Sequence, residues 1–185
     1  MRYIEDTAAK FARSIRAHHA EAASEAILTY ALIIILNTAA IVSIAIVFSL
    51  FTGMTISTVA AIGIFAFLKF FTGGIHLKSS AACTIASSAM LILLVHAPYH
   101  YRYGGVWLTL LAIVLFYVYA PSGNVRKGTL PEKYIPYLKW VAIALCLLNL
   151  YWQNSLLTLI VTLQASTLTP PAFRFVDYLE RRSTQ

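Results

Sequence analysis

Six long apolar runs dominate the chain, and short polar or charged connections separate them. The runs cover residues 27–51, 54–71, 80–98, 104–120, 134–152 and 155–169. Apolar residues follow one another within each run instead of alternating with polar ones, which argues against an outer-membrane barrel. A helix of about 20 apolar residues crosses a hydrocarbon core of about 30 Å. The pattern therefore predicts an all-α, polytopic integral membrane protein with about six transmembrane helices.

A second pattern precedes the first apolar run. Ile4, Ala8, Phe11 and Ile15 recur at helical spacing, and charged residues occupy positions between them. This periodicity predicts that residues 1–25 contain an amphipathic helix on the inner leaflet of the membrane. A merely solvated charged arm is the alternative interpretation of the same residues.

Composition agrees with a membrane location. Of the 185 residues, 59% are hydrophobic and 11% are charged, and the mean hydropathy is +0.74. A soluble domain carries about 25% charged residues, so the charges of this chain cannot cover a water-facing surface. The high apolar content also excludes an intrinsically disordered chain. We expect a single domain, in which residues 27–169 form the transmembrane bundle and residues 170–185 a cytoplasmic tail.

Basic residues fall unevenly on the two sides of the predicted bundle. Thirteen of the fourteen lie on one side, and Arg102 alone lies on the other. The thirteen are Arg2, Lys10, Arg13, Arg16, Lys69, Lys78, Arg126, Lys127, Lys133, Lys139, Arg174, Arg181 and Arg182. By the positive-inside rule, this side and both termini face the cytoplasm. The net charge of +7 suits an anionic lipid surface, and its distribution in short clusters argues against nucleic-acid binding.

Cys83 has the surroundings that a reactive thiol needs. It lies about one turn into the third predicted helix, close to the cytoplasmic end. A cysteine nucleophile requires thiolate character, which an imidazole, a cation or the amino end of a helix supplies. His76 offers the imidazole, and Lys69 or Lys78 offers the cation. From the residues alone, Cys83 and His76 are a candidate catalytic pair, and a structural thiol is the alternative.

The spacing of His76 and Cys83 restricts how the two side chains meet. In one continuous helix, seven positions would separate them by about 10 Å along the axis. General-base contact needs a separation of about 3 Å. His76 must therefore lie on a loop or re-entrant turn that folds back, or act on Cys83 of another subunit. Gly73 and Gly74 permit such a break in the helix.

Other polar residues within the apolar runs predict structure more than chemistry. Asn37, Asn149 and Gln164 are expected to tie helices together by hydrogen bonds. Cys146 has only apolar neighbours and is expected to be a small hydrophobic core residue. No Asp or Glu lies within the six runs, which argues against a proton-coupled transporter with a buried carboxylate relay.

The sequence indicates neither a metal centre nor a cofactor site. His96 and His100 have the four-residue spacing of a zinc site on a helix, but Pro98 lies between them and no adjacent Glu supplies a base. Interfacial histidines among tyrosines are the favoured interpretation. The chain also lacks a phosphate-binding glycine loop. We therefore expect no bound metal and no cofactor.

The stretch from Lys69 to Cys83 resembles the accessory gene regulator B family, which are membrane cysteine endopeptidases of Gram-positive quorum sensing. The family pattern is a basic residue, a Gly-Gly or similar pair, a histidine, and a cysteine seven positions later. Its counterparts here are Lys69, Gly73, Gly74, His76 and Cys83. The resemblance thus includes both members of the candidate catalytic pair.

The resemblance extends over most of the chain. The total length, the basic amino-terminal arm, Ala120 and Pro121 before a basic connection, and Gln164 followed by residues 167–170 all agree with the family. The chain departs from the family at Lys69, where an Arg is more usual, and a Lys binds a carboxylate only as a point charge. The connection after Pro121 also lacks the family's usual acidic residue.

The resemblance implies a reaction. The substrate would be a short propeptide with an amphipathic amino-terminal helix and an acidic carboxy-terminal tail. His76 would activate Cys83, which would attack a peptide bond of the propeptide and form a thioester. An internal Cys or Ser of the propeptide would then close a thiolactone or lactone ring. The residues implied in substrate binding or transition-state support are Lys69, Gly73, Gly74 and Lys78.

The resemblance also implies a homodimer in a bacterial cell membrane. No third member of a catalytic triad is identifiable, because Asp and Glu are absent between positions 26 and 131. A small transporter or channel-like bundle without catalysis is the alternative function. In that case Cys83 is structural, and replacing it with Ala leaves the function intact.

Overall fold

The computed structural model describes residues 3–19, 21–75, 77, 79–122 and 132–183. This part of the chain contains eight α-helices, one 3-10 helix and no β-strand, which confirms the predicted all-α class. The α-helices are α1 (Tyr3–His18), α2 (Glu25–Thr52), α3 (Thr55–Thr72), α4 (Ser80–His96), α5 (Gly105–Tyr119), α6 (Lys139–Trp152), α7 (Ser155–Ser166) and α8 (Pro170–Ser183). Each of the six predicted apolar runs overlaps one of the helices α2 to α7.

Three helical segments in the described ranges are long and apolar enough to cross a membrane. They are Glu25–Thr52, Thr55–Thr72 and Lys133–Trp152, and a fourth arises if α7 and the following Pro170–Leu179, bent by 73°, count as one span. The apolar helices α4 and α5 contain 17 and 15 residues. At 1.5 Å per residue they extend about 25 Å and about 22 Å, less than the hydrocarbon core. The count of six spans therefore stays a prediction.

The described residues pack as two compact units. The first contains Met1–Gly53 and Leu77–Ile92, and therefore α1, α2 and most of α4. The second contains Met54–His76 and Leu93–Gln185, and therefore α3, the end of α4 and all later helices. The single domain expected from the sequence stays a prediction.

In the first unit, α1 packs against α2. Ala8 and Ala12 of α1 are fully buried, and such small side chains let two helix backbones approach closely. Phe11, which belongs to the predicted apolar stripe, is 55% exposed. A helix therefore forms where the periodicity predicted one, with its small residues buried and its aromatic residue exposed. Its location on the inner leaflet stays a prediction.

In the second unit, α5, α6 and α7 pack together around Asn149. This fully buried side chain donates hydrogen bonds to Thr109 Oγ1 at 3.3 Å and to Thr158 Oγ1 at 2.8 Å. Its carbonyl oxygen accepts a bond from the Asn154 amide at 3.1 Å. Because the bonds join three helices, the prediction that Asn149 ties helices together is confirmed.

The predicted run 134–152 begins too early as an α-helix. Pro136 lies in the 3-10 helix Glu132–Tyr137, and the α-helix begins only at Lys139. Proline has no amide hydrogen to donate and its ring clashes with the preceding turn of an α-helix, which explains the boundary. The Lys139 ammonium donates to the Tyr117 carbonyl at 3.2 Å and lies 4.4 Å from the centroid of the Tyr117 ring.

Candidate active site

Cys83 lies on the first turn of α4, as predicted. Its amide donates to the Ser79 carbonyl at 2.9 Å, so Ser79 precedes the first helical residue, and the Ser79 hydroxyl accepts a bond from the Ala82 amide at 3.4 Å. Cys83 is 6% exposed, and its sulfur lies 4.0 Å from Ser87 Oγ. The amino end of a helix stabilises an anion through its unpaired amides and its dipole. This position therefore suits a thiolate nucleophile.

Two side chains from other helices of the first unit hold the amino end of α4. Glu5 Oε1, on α1, accepts a hydrogen bond from the Ser80 amide at 3.4 Å. The Thr84 hydroxyl donates to Asn37 Oδ1 on α2, and this bond confirms the prediction that Asn37 ties helices together. Cys83 lies between these two attachment points in the sequence. The turn that carries the thiol is therefore fixed from both α1 and α2.

Glu5 is ionised at neutral pH. Burial raises the pKa of its carboxyl, but the combined interactions with the Ser80 side chain, its own backbone, the Ser80 amide and the positive charge of the amino terminus lower it by more, so the net pKa lies below its usual value. A carboxylate near the amino end of a helix is also favoured by the helix dipole. Sequence reasoning missed Glu5, because nothing in its local pattern separates it from the exposed neighbouring carboxylate, Asp6.

In the second unit, α3 ends at the glycine pair. Gly73 and Gly74 have φ angles of 78° and 123°, a region that residues with a side chain rarely adopt. The Gly73 amide donates to the Lys69 carbonyl at 2.9 Å, and the Lys69 ammonium donates to the Ile75 carbonyl at 3.3 Å. The predicted break of the helix at Gly73 and Gly74 is confirmed, and Lys69 holds the turn that follows it.

Gln164 of α7 binds the same turn. Its fully buried side-chain amide donates to Thr72 Oγ1 at 2.9 Å and to the Gly73 carbonyl at 2.8 Å. The Ser122 amide, just after α5, donates to the Thr72 carbonyl at 2.9 Å. Gly74 is close to α7 as well, because a Cβ there would lie 2.9 Å from Thr167 Oγ1. Gln164 thus ties α7 to α3, as predicted, and its partner is the glycine turn.

The predicted site residues fall into three groups. Lys69, Gly73 and Gly74 lie together on the glycine turn of the second unit, and Cys83 lies in the first unit. His76 and Lys78 lie outside the described residues. Their predicted roles therefore stay predictions.

Among the described residues, Cys146 and the histidines form no second candidate site. Cys146 is fully buried in α6, as expected of a core residue. His96 ends α4, and the His100 ring packs edge-on against Tyr103, with centroids 5.9 Å apart. Within the described ranges, no group of three or more His, Cys, Asp or Glu residues lies close enough to hold a metal ion.

The chain matches the family model for accessory gene regulator B over residues 6–169. The matched range contains the glycine turn, Gln164 and Cys83. The chain belongs to the accessory gene regulator B family. Members of this family process the autoinducer of accessory gene regulator quorum sensing, so the protein is a membrane protein of the protease-like class that acts on a propeptide. Comparison with curated proteins and with solved structures gives no match.

Proposed function

We propose that the protein is a membrane cysteine endopeptidase that cleaves a quorum-sensing propeptide on the cytoplasmic side, with Cys83 as nucleophile and His76 as general base. The observation that carries this proposal is the position of Cys83 on the first turn of α4, where a thiolate is stabilised. Family membership over residues 6–169 supports the substrate class.

The proposed cleavage begins when His76 takes the thiol proton and the Cys83 thiolate attacks the scissile carbonyl carbon. The carbon–nitrogen bond then breaks, and the imidazolium returns its proton to the leaving amine. A thioester joins the amino-terminal part of the propeptide to Cys83, and the acidic carboxy-terminal fragment departs. An internal Cys or Ser of the propeptide next attacks the thioester, which closes a thiolactone or lactone ring and releases the thiol.

Residues of the segment 69–78 have proposed supporting roles. We assign stabilisation of the oxyanion to the backbone amides of Gly73 and Gly74 at the glycine turn. Lys69 holds the turn through the Ile75 carbonyl and adds positive charge near the end of α3. Lys78 would attract the acidic tail of the propeptide.

For the whole protein we propose six transmembrane helices, cytoplasmic termini, α1 on the inner leaflet of a bacterial cell membrane, and a homodimer. Nine of the thirteen basic residues on which this topology rests lie within the described residues, and the other four are Arg2, Lys78, Arg126 and Lys127. An impermeant maleimide added to intact cells tests it. Strong labelling of a single cysteine placed near residue 126 would show that this connection faces the outside of the cell, which would contradict the proposed orientation.

The proposal is tested by three variants purified in detergent at equal folded amounts. Cys83→Ala and His76→Ala should abolish propeptide cleavage, because they remove the nucleophile and the base. Cys146→Ala, a matched control at the second buried thiol, should keep most of the activity. Persistent cleavage by Cys83→Ala would show that Cys83 is not the nucleophile and would overturn the cysteine-peptidase proposal.

A further inference from the structure

A single carboxylate connects α1 to the first turn of α4. Glu5 Oε1 accepts the Ser80 amide hydrogen across 75 positions of sequence. The other carboxylate oxygen, Oε2, is shielded from solvent and has no hydrogen-bond donor among the described residues.

The contact acts on the turn that carries the nucleophile. The first amides of a helix have no partner inside the helix, and Ser80 is the first residue of α4. Glu5 accepts from the Ser80 amide, and Ser79 Oγ accepts from the Ala82 amide. Cys83 follows directly, so two external acceptors hold the turn on which its thiol lies.

A second contact fixes α4 further along. Thr84 binds Asn37 of α2 and also contacts the Ser80 carbonyl at 3.0 Å. Without Glu5, the body of α4 would therefore remain attached to α2, while its first turn would lose the only acceptor that α1 provides among the described contacts. Loss of Glu5 should move Cys83 without detaching the helix.

We propose that Glu5 is a positioning residue for the Cys83 thiol, through its hydrogen bond to the Ser80 amide. This inference rests on the proposed function, in which Cys83 is the nucleophile. It makes α1 a part of the active-site scaffold as well as an amphipathic arm. Glu5 lies one residue before the range that matches the family model, which begins at residue 6.

Three substitutions separate the hydrogen bond from the charge. Glu5→Ala removes both, Glu5→Gln keeps an acceptor oxygen without the charge, and Glu5→Asp keeps the charge but shortens the reach by one methylene. Asp6→Ala is the matched control, because Asp6 is an exposed carboxylate on the next position of the same helix. All variants carry Cys146→Ala, so that Cys83 is the thiol that reagents modify.

Two rates are measured on monodisperse protein in detergent, each per folded molecule. One is cleavage of a propeptide with an amphipathic helix, an internal Cys and an acidic tail; the other is alkylation of Cys83 by iodoacetamide. We expect Glu5→Ala and Glu5→Asp to lower kcat about tenfold with KM within about twofold, since loss of a cap and a displaced nucleophile have effects of this order. Both should also change the alkylation rate at least about threefold. Glu5→Gln and Asp6→Ala should stay within about threefold of the parent in both rates.

Several outcomes overturn the proposal. Unchanged rates in Glu5→Ala and Glu5→Asp would remove the link to Cys83, and less folded protein with normal rates per molecule would make Glu5 merely structural. An equal loss in Asp6→Ala, or a loss in Glu5→Gln as large as in Glu5→Ala, would assign the effect to charge. If Glu5→Ala does not fold, the cleavage and alkylation rates of Glu5→Asp test the proposal in its place. Cleavage by Cys83→Ala would refute the proposed function but not the link between Glu5 and Cys83. The alkylation rate of Cys83 in the Glu5 variants tests that link without relying on cleavage.

Discussion

The side-chain amide of Gln164 donates a hydrogen bond of 2.8 Å to the backbone carbonyl of Gly73. The same amide reaches Thr72 Oγ1 at 2.9 Å, so one buried side chain of α7 fixes the end of α3 and the turn after it. His76, the proposed general base, follows Gly73 by three positions in the sequence. Gln164 therefore holds the turn that precedes His76 in the sequence.

Gln164→Leu should lower propeptide cleavage about tenfold or more. The substitution leaves the Gly73 carbonyl without its side-chain donor, and an unsatisfied buried polar group costs about 1–3 kcal/mol. Cleavage rates are compared at equal amounts of monodisperse protein. Ser166→Ala, at an exposed position of α7, is the control and should retain full activity. Normal cleavage by Gln164→Leu would show that the turn keeps its geometry without this bond.

Gly74→Ala should lower propeptide cleavage at least as much as Gln164→Leu does. A Cβ at this position would lie 2.9 Å from Thr167 Oγ1, and the φ angle of 123° is itself unfavourable for Ala. Strain of this kind costs about 1–3 kcal/mol, so we expect cleavage to fall about tenfold or more.

A second substitution separates the steric clash of the new Cβ from the backbone strain at position 74. Thr167→Ala removes the atom that the new Cβ would meet, so the double variant should recover part of the activity and lose the rest to backbone strain. Gly63→Ala in α3 is the control, because a Cβ there meets nothing within 4 Å. Full rescue by Thr167→Ala would mean that the φ angle adjusts freely, and no loss in Gly74→Ala would contradict the prediction.

Local structure could be predicted well from the sequence, because helices and their ends depend on residues that are close together along the chain. Runs of apolar residues predicted a helix in each of six places, and the glycine pair predicted the break after α3. Pro136 moved one boundary, since a proline disfavours the α-helical turn before Lys139. Lys69 also donates a hydrogen bond to the Ile75 carbonyl in the turn, and this role could be identified only from the structure.

Contacts between distant positions could not be predicted in the same way. Glu5 and Ser80 are 75 positions apart, and Gln164 and Gly73 are 91 positions apart. No periodicity links such pairs, and a polar residue in an apolar run indicates only that some partner exists. The identity of the partner depends on how the helices pack.

Asn149→Leu should reduce stability more than activity. Asn149 joins α5, α6 and α7, but Thr109 and Thr158 would still donate to the backbone carbonyls four residues before them. The main loss is therefore the interhelical bonds, worth about 1–2 kcal/mol in membrane proteins. Thermal unfolding in detergent should show a midpoint lower by several degrees. Leu148→Ala, at an exposed position of α6, should change it less; equal midpoints for Asn149→Leu and the parent would show that these bonds do not stabilise the bundle.

The last prediction concerns the fate of the thioester. Cys83 is 6% exposed, so water has restricted access to an acyl group on its sulfur. The internal nucleophile of the propeptide is held close to the thioester at a high effective concentration, and it should therefore compete successfully with hydrolysis. We expect the amino-terminal product to be chiefly cyclic.

Incubation in water enriched in heavy oxygen distinguishes the two routes. Hydrolysis of the thioester inserts one heavy oxygen into a linear product, whereas ring closure inserts none, and mass spectrometry separates the products. Forming a strained thiolactone from an amide is uphill, so added carboxy-terminal fragment should slow net formation of the ring or reverse it. A propeptide with its internal Cys replaced by Ala is the control, since it can only give the linear, labelled product. If the unmodified propeptide also gives chiefly linear, labelled product, the enzyme is a simple hydrolase and ring closure is not its reaction.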